Sequence, residues 1–79
     1  MISNTALKSL RGKKLKTQQE VADLLNVSRQ TYVSYETSIL NVDLETCLEI
    51  LKVLDANEQE ATEFFNAIKQ DYLFYKEDV

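Results

Sequence analysis

Apolar residues recur three and four positions apart along nearly the whole chain, the period of an amphipathic helix. Proline is absent and Gly12 is the single glycine, so the punctuation of strands and hairpins is missing. The pattern divides into five helices. The first runs from about Thr5 to Lys14, with Ser3 or Asn4 as its cap and Leu7 and Leu10 facing inward. The second starts after Thr17, where "TQQE" places a hydroxyl three residues ahead of Glu20, the spacing of a capping box. Val21, Ala22, Leu24 and Leu25 supply its apolar face. "NVS" then breaks the period: Asn26 tolerates a left-handed backbone, and Ser28 can cap the next helix. The third helix is Arg29 to about Glu36, with Tyr32 and Tyr35 on one side. A loop, "TSILNV", leads to Asp43 as the cap of a fourth helix, whose stripe is Leu44, Cys47, Leu48, Leu51 and Leu54. "DAN" ends it, and "NEQE" repeats the capping-box spacing at Asn57 and Glu60. A fifth helix runs from there to roughly Tyr75.

The fold class is therefore all-α, in a single domain over residues 1–79: a core over 1–55 and an additional C-terminal helix over 56–79. A chain of this length buries only about 60–65% of its unfolded surface, so the core is small. In the last helix, Ala61, Phe65, Ile68 and Tyr72 can close that core. Phe64, Leu73, Phe74 and Tyr75 then need other cover, either from the core itself or from a dimer mate or partner protein. Ile39 and Leu40 pose the same alternative: tucked under the fourth helix, or exposed as a contact.

Charge changes the picture. The chain carries a net −4, but unevenly. Residues 1–36 hold six basic against three acidic side chains, and residues 37–79 hold three against ten. A polyanion responds to the local patch, so the half with the second and third helices is the half that suits DNA. The acidic helix at the other end would be turned away from a duplex.

The third helix has the make-up of a major-groove reader. Ser28, Arg29, Gln30, Val33 and Ser34 lie at its start or opposite the tyrosines. Arg pairs with guanine and Gln with adenine, and an apolar side chain meets a thymine methyl. On spacing alone, Arg29 and Gln30 equally suit a solvated helix start. Enzyme chemistry has little to work with: there is no histidine, no glycine-rich phosphate loop and a single cysteine, Cys47, placed as a buried small hydrophobe. No metal site or cofactor is expected. No run reaches the ~18 apolar residues of a membrane span and no leader peptide is expected, which favours the cytoplasm.

The stretch "LRGKKLKTQQEVADLLNVSRQTYVSYE…NVDLETCLEILKVL", about Leu7 to Leu54, resembles the Cro/repressor-like (XRE-type) helix-turn-helix family. The matching features are "LR", "TQ", "VSRQT", the glutamate ending the third helix and "LET", in order and with the family's separations. The resemblance implies a five-helix repressor-like domain with the helix-turn-helix at helices two and three. It implies a phage or bacterial transcriptional regulator, usually a homodimer on double-stranded operator DNA. By position, Gln18 corresponds to a phosphate contact, assisted by Thr17. Ser28, Arg29, Gln30 and Ser34 correspond to base or phosphate contacts, and Arg11 with Glu36 to a structural ion pair. Lys8, Lys13, Lys14 and Lys16 can add attraction, Lys16 being nearest the site in sequence.

The chain departs from the family at three places. Leu15 and Lys16 replace the family's Gly-Leu before "TQ", Asn26 replaces its turn glycine, and the loop after Glu36 has no positive charge. The last predicts modest affinity. The alternative is an interaction module, anti-repressor or antitoxin-like, acting through the C-terminal helix or the Ile39–Leu40 loop.

Overall fold

A computed structural model describes residues 5–78, with side chains described as far as Leu73. In chain order it contains α1 (Ala6–Lys13), α2 (Gln18–Leu25), α3 (Arg29–Thr37), a 3₁₀ turn (Ile39–Asn41), α4 (Leu44–Val53) and α5 (Glu58–Asp78). The architecture is all-α, with α2 and α3 packed on each other as a helix-turn-helix and α5 extended beyond it. The expected caps Ser3 and Asn4 and the side chains of Phe74 and Tyr75 lie outside the described residues; Thr5 holds the position before α1.

Local chemistry sets the helix starts. Thr17 Oγ1 accepts from the Glu20 N–H at 3.0 Å, and Glu20 Oε1 accepts from the Thr17 N–H at 2.7 Å. Asn57 and Glu60 repeat the exchange at the start of α5, at 2.8 and 3.0 Å. Ser28 caps α3 by accepting from the Thr31 N–H. Asp43 stands at the cap of α4 but does not bond the backbone there; its carboxylate accepts from the Thr46 hydroxyl instead.

Three helices end alike, each with a left-handed residue: Leu15 (φ 58°), Asn26 (φ 60°) and Asp55 (φ 54°). In each, two turn N–H groups fold back onto the last helical carbonyls. Leu15 donates to Gly12 and Lys16 to Arg11; Asn26 to Asp23 and Val27 to Ala22; Asp55 to Lys52 and Ala56 to Leu51. The exit of α1 thus keeps the bend that glycine favours, with a leucine bearing it.

Leu7, Leu10, Val21, Ala22, Tyr32, Ile39, Cys47, Ile50, Leu51, Leu54 and Phe64 form one core. Each fully buried large side chain contributes about 1.5–3 kcal/mol. Several sequence expectations are corrected by this packing. Leu24 is exposed, because Val21, Ala22 and Leu25 already meet α3 and α4. Leu44 (65% exposed) and Leu48 lie outside, since the buried stripe of α4 is Cys47, Ile50, Leu51 and Leu54, rotated toward Ile50. Phe64, whose cover the sequence left open between the core and a dimer or partner surface, is 4% exposed and belongs to the core, stacked edge-on against the half-buried Phe65. Ala61, Phe65 and Ile68 flank it, but Tyr72 is exposed. The 3₁₀ turn settles Ile39, which is buried beside α3 and α5, while Leu40 stays half-exposed.

Candidate nucleic-acid interface

The first turn of α3 is oriented by Tyr32. Its ring is wholly buried and holds α3 against the core, with Tyr35 edge-on at 6.3 Å. That pins one side of α3 and leaves the other outward. Ser28, Arg29, Gln30 and Ser34 are exposed there and Val33 is half-buried, so the expected residues share one open face. No other element covers that face among the described residues.

Beneath it runs a chain of polar contacts. Arg11 Nε donates to Glu36 Oε2 at 2.6 Å, with the two side chains 15% and 6% exposed. Arg11 Nη1 also donates to the Lys16 carbonyl at 2.8 Å, fixing the exit of α1. Gln18 Nε2 donates to the other Glu36 oxygen at 3.1 Å. Gln18 Oε1 accepts from Arg29 Nη2 at 3.0 Å. Gln18, expected at a phosphate, is therefore bonded at both ends of its amide inside the protein.

The same contacts set the charges. Burial pushes the Glu36 carboxyl up, but hydrogen bonds from Arg11 and Gln18, the nearby Tyr32 hydroxyl and the Arg11 charge together hold it below the usual carboxylate range. The hydrogen bond to Glu36 raises Arg11 against the opposing effect of burial. Burial, with the neighbouring Glu36, raises the Tyr32 phenol far above its ordinary value. The Tyr32 hydroxyl feels that carboxylate but lies outside full hydrogen-bond geometry with any group.

The other polar groups divide by how much donor capacity they retain. Ser28 Oγ donates to Thr31 Oγ1, and Ser34 Oγ donates to the Thr31 carbonyl at 2.6 Å. Both hydroxyls then face outward as acceptors, suited to base amino groups rather than phosphates. Thr17 Oγ1 accepts in its capping box and keeps its own proton to donate. Among the described residues, Gln30 has no hydrogen-bond partner for its side chain, so its amide is entirely available.

The lysines do not all serve this face. Lys14 Nζ sits 2.8 Å from Glu60 and donates to the Asp55 carbonyl at 3.0 Å. Lys13 lies 3.9 Å from Glu63 and 4.0 Å from Glu60. The bond from Lys14 first, and then the cap of α5, hold Glu60 below the carboxylate range. Lys13 and Lys14 thus bind α1 to α5, a role that sequence reasoning missed. Its signal was the capping box at Asn57, which places Glu60 in the first turn of α5. Among the described residues, Lys8, Lys16 and Arg29 are the basic groups of residues 5–36 without an ion pair. The cationic patch is consequently narrower than the count of basic residues implies. Among the described residues no group of three His, Cys, Asp or Glu side chains converges to hold a metal, and no helix is long and apolar enough to cross a membrane.

A family model described as helix-turn-helix matches residues 7–60, more than half of the chain and nearly all of α1 to α4. Neither the curated proteins nor the solved structures contain a match.

Proposed function

The chain belongs to the helix-turn-helix family of the Cro/repressor (XRE) type, and from that premise we propose that it is a sequence-specific transcriptional regulator binding double-stranded DNA. The family membership carries a DNA-binding regulatory role in general; the residues, the operator and the assembly are this reading's own. The observation that supports it best is the open first turn of α3, where Gln30 is unpartnered and Arg29 is held in place by Gln18.

In this reading α3 enters the major groove with its N-terminal turn foremost. Gln30 takes adenine N6 and N7 through its free amide, and Arg29 presents its fork to guanine. Val33 meets a thymine methyl. Ser28 and Ser34 accept from base amino groups, since their protons are used within the helix. The N–H groups at the start of α2, with Lys16 and Thr17 beside them, face a phosphate. Gln18 acts behind this surface as the support of Arg29. The ion pair of Arg11 and Glu36 keeps α1 and α3 in register and takes no part in readout.

With few free cations, one copy binds weakly, and two copies add their contacts on a palindromic operator as a homodimer. The setting is the cytoplasm of a bacterium or of a phage-infected cell. Selection from a pool of random duplexes tests the reading. The parent enriches one motif, while Arg29→Ala and Gln30→Ala each relax one base pair of it, by about 1–3 kcal/mol, and stay folded. A parent that enriches no motif contradicts it.

A second reading, an anti-repressor or antitoxin-like module acting on another protein, is favoured by one observation. Lys14 is paired with Glu60 at 2.8 Å, and Lys13 lies 3.9–4.0 Å from α5 carboxylates, so acidic groups offset the attraction of both for a duplex. It predicts no salt-sensitive DNA binding at all.

A further inference from the structure

Leu15 holds a left-handed backbone with an exposed side chain that anchors nothing. A strained turn keeps its shape only where its surroundings fix it. Here it is fixed on both sides. After it, the Lys16 carbonyl accepts from Arg11 Nη1 at 2.8 Å. Before it, Lys14 Nζ donates to the Asp55 carbonyl at 3.0 Å and lies 2.8 Å from Glu60 Oε1. Asp55 is the left-handed residue just past α4, and the same Glu60 oxygen accepts from the Asn57 N–H at the start of α5. One ammonium group thus clasps the exit of α1 to the junction of α4 and α5. Lys14 and Glu60 are 23% and 12% exposed, whereas Lys13 and Glu63 are both well exposed. Solvent and salt therefore screen the clasp less than an ordinary surface pair.

From that turn a relay of hydrogen bonds leads to α3. Arg11, which holds Lys16, donates through Nε to Glu36 at 2.6 Å. Glu36 accepts from Gln18 at 3.1 Å, and Gln18 accepts from Arg29 at 3.0 Å. Gln18 also follows the turn in the chain, as the first residue of α2. A shift of the α1 exit reaches Gln18 by two routes, through the backbone and through Arg11.

We propose that Lys14 is a positioning residue for readout: its clasp on Asp55 and Glu60 fixes the Leu15 turn and, through Arg11, Glu36 and Gln18, the direction of Arg29. It acts through these neighbours and not on DNA itself. The inference rests on the regulator reading, in which Arg29 reads a base, and extends control of that arginine to the start of α5.

The test uses the full chain and two readouts, with circular dichroism to confirm folding. Without DNA, NMR relaxation of the arginine Nε–H groups reports side-chain mobility, and the parent has two arginines, Arg11 and Arg29. With DNA, single-base operator variants give the affinity ratio at the base pair read by Arg29 and at the one read by Gln30. Lys14→Met removes both bonds of the clasp and keeps an apolar stem. Glu60→Gln removes the charge and keeps an acceptor for the Asn57 N–H. Both loosen Arg29 and lower its discrimination about two- to tenfold, leaving Gln30's ratio as in the parent. Lys14→Arg, which keeps the charge, holds the parent's ratio at both base pairs. Lys13→Met loses the same charge outside the clasp and changes neither readout. If Arg29 stays as restrained in folded Lys14→Met and Glu60→Gln as in the parent, the proposal is overturned. Equal loosening by Lys13→Met overturns it too. A parent without base preference sinks the regulator reading alone, because the mobility of Arg29 still decides the clasp.

Discussion

Arg29 and Gln18 are joined across the helix-turn-helix: Nη2 of Arg29 donates to Oε1 of Gln18 at 3.0 Å. The nitrogen of the same amide donates to Glu36, which is itself held by Arg11. The arginine proposed to read a base is thereby restrained through one side chain by a buried ion pair. An unrestrained arginine loses rotamer entropy on binding, and a supported one loses less.

Removing the support therefore lowers discrimination more than stability. Gln18→Ala is expected to relax the preference at the base pair read by Arg29, with Gln30's base pair unaffected. Binding to a panel of single-base operator variants measures this, beside a thermal melt close to that of the parent. Equal loss at every position would show Gln18 to be a plain phosphate contact.

The ion pair itself belongs to stability. Glu36→Ala leaves the largely covered Arg11 guanidinium without its partner and is expected to destabilise the domain by about 3 kcal/mol. Replacing both, Arg11→Met with Glu36→Leu, recovers most of that loss, because no buried charge remains. Urea unfolding of the parent and both variants gives the two numbers.

Acid sensitivity follows from the same carboxylate. Glu36 is held below the usual range when folded, with burial opposing and the hydrogen bonds prevailing. Above about pH 5 the folded and unfolded chains are both ionised there, and the contribution is complete. As pH falls from there, the unfolded chain takes up its proton first, so stability declines until the folded carboxyl is protonated too. Glu20, held low mainly by the Thr17 N–H, and Glu60, held low mainly by Lys14, act in the same direction. Unfolding free energy measured between about pH 6 and pH 3 should fall more steeply for the parent than for Glu36→Gln.

Leu15 carries a backbone strain that its side chain does nothing to offset. It is 90% exposed and sits at φ 58°. Leu15→Gly is expected to raise stability by about 1 kcal/mol, and Leu15→Val to lower it, since a β-branched residue tolerates that backbone least. Denaturant midpoints decide the sign.

The capping boxes at Thr17 and Asn57 and the left-handed Asn26 were legible in the sequence, because each depends on contacts within four or five residues. The outward turn of α3 was legible because Tyr32 and Tyr35 mark its buried side. Leu44 and Leu48 were misplaced, and Phe64 was left open, because adjacent apolar residues leave the phase of a stripe undecided. Only the neighbouring helices choose between Phe64 and Phe65, or between Leu48 and Ile50. Lys13 and Lys14 looked available for DNA because their partners, Glu60 and Glu63, lie more than 40 positions away. The two bonds of Gln18 were hidden because they cross to a neighbouring helix, 11 and 18 positions on, with one partner in α3's first turn and the other in its last.

The most direct test of the central claim is the salt dependence of binding to the enriched duplex. If the first turn of α3 meets DNA with Lys16 and Arg29 as its free cations, the logarithm of the association constant falls linearly with the logarithm of salt. The slope is about −2 for one copy and about −4 for two. Binding undetectable even at low ionic strength, or unmoved by salt, would contradict the assignment of this face to DNA.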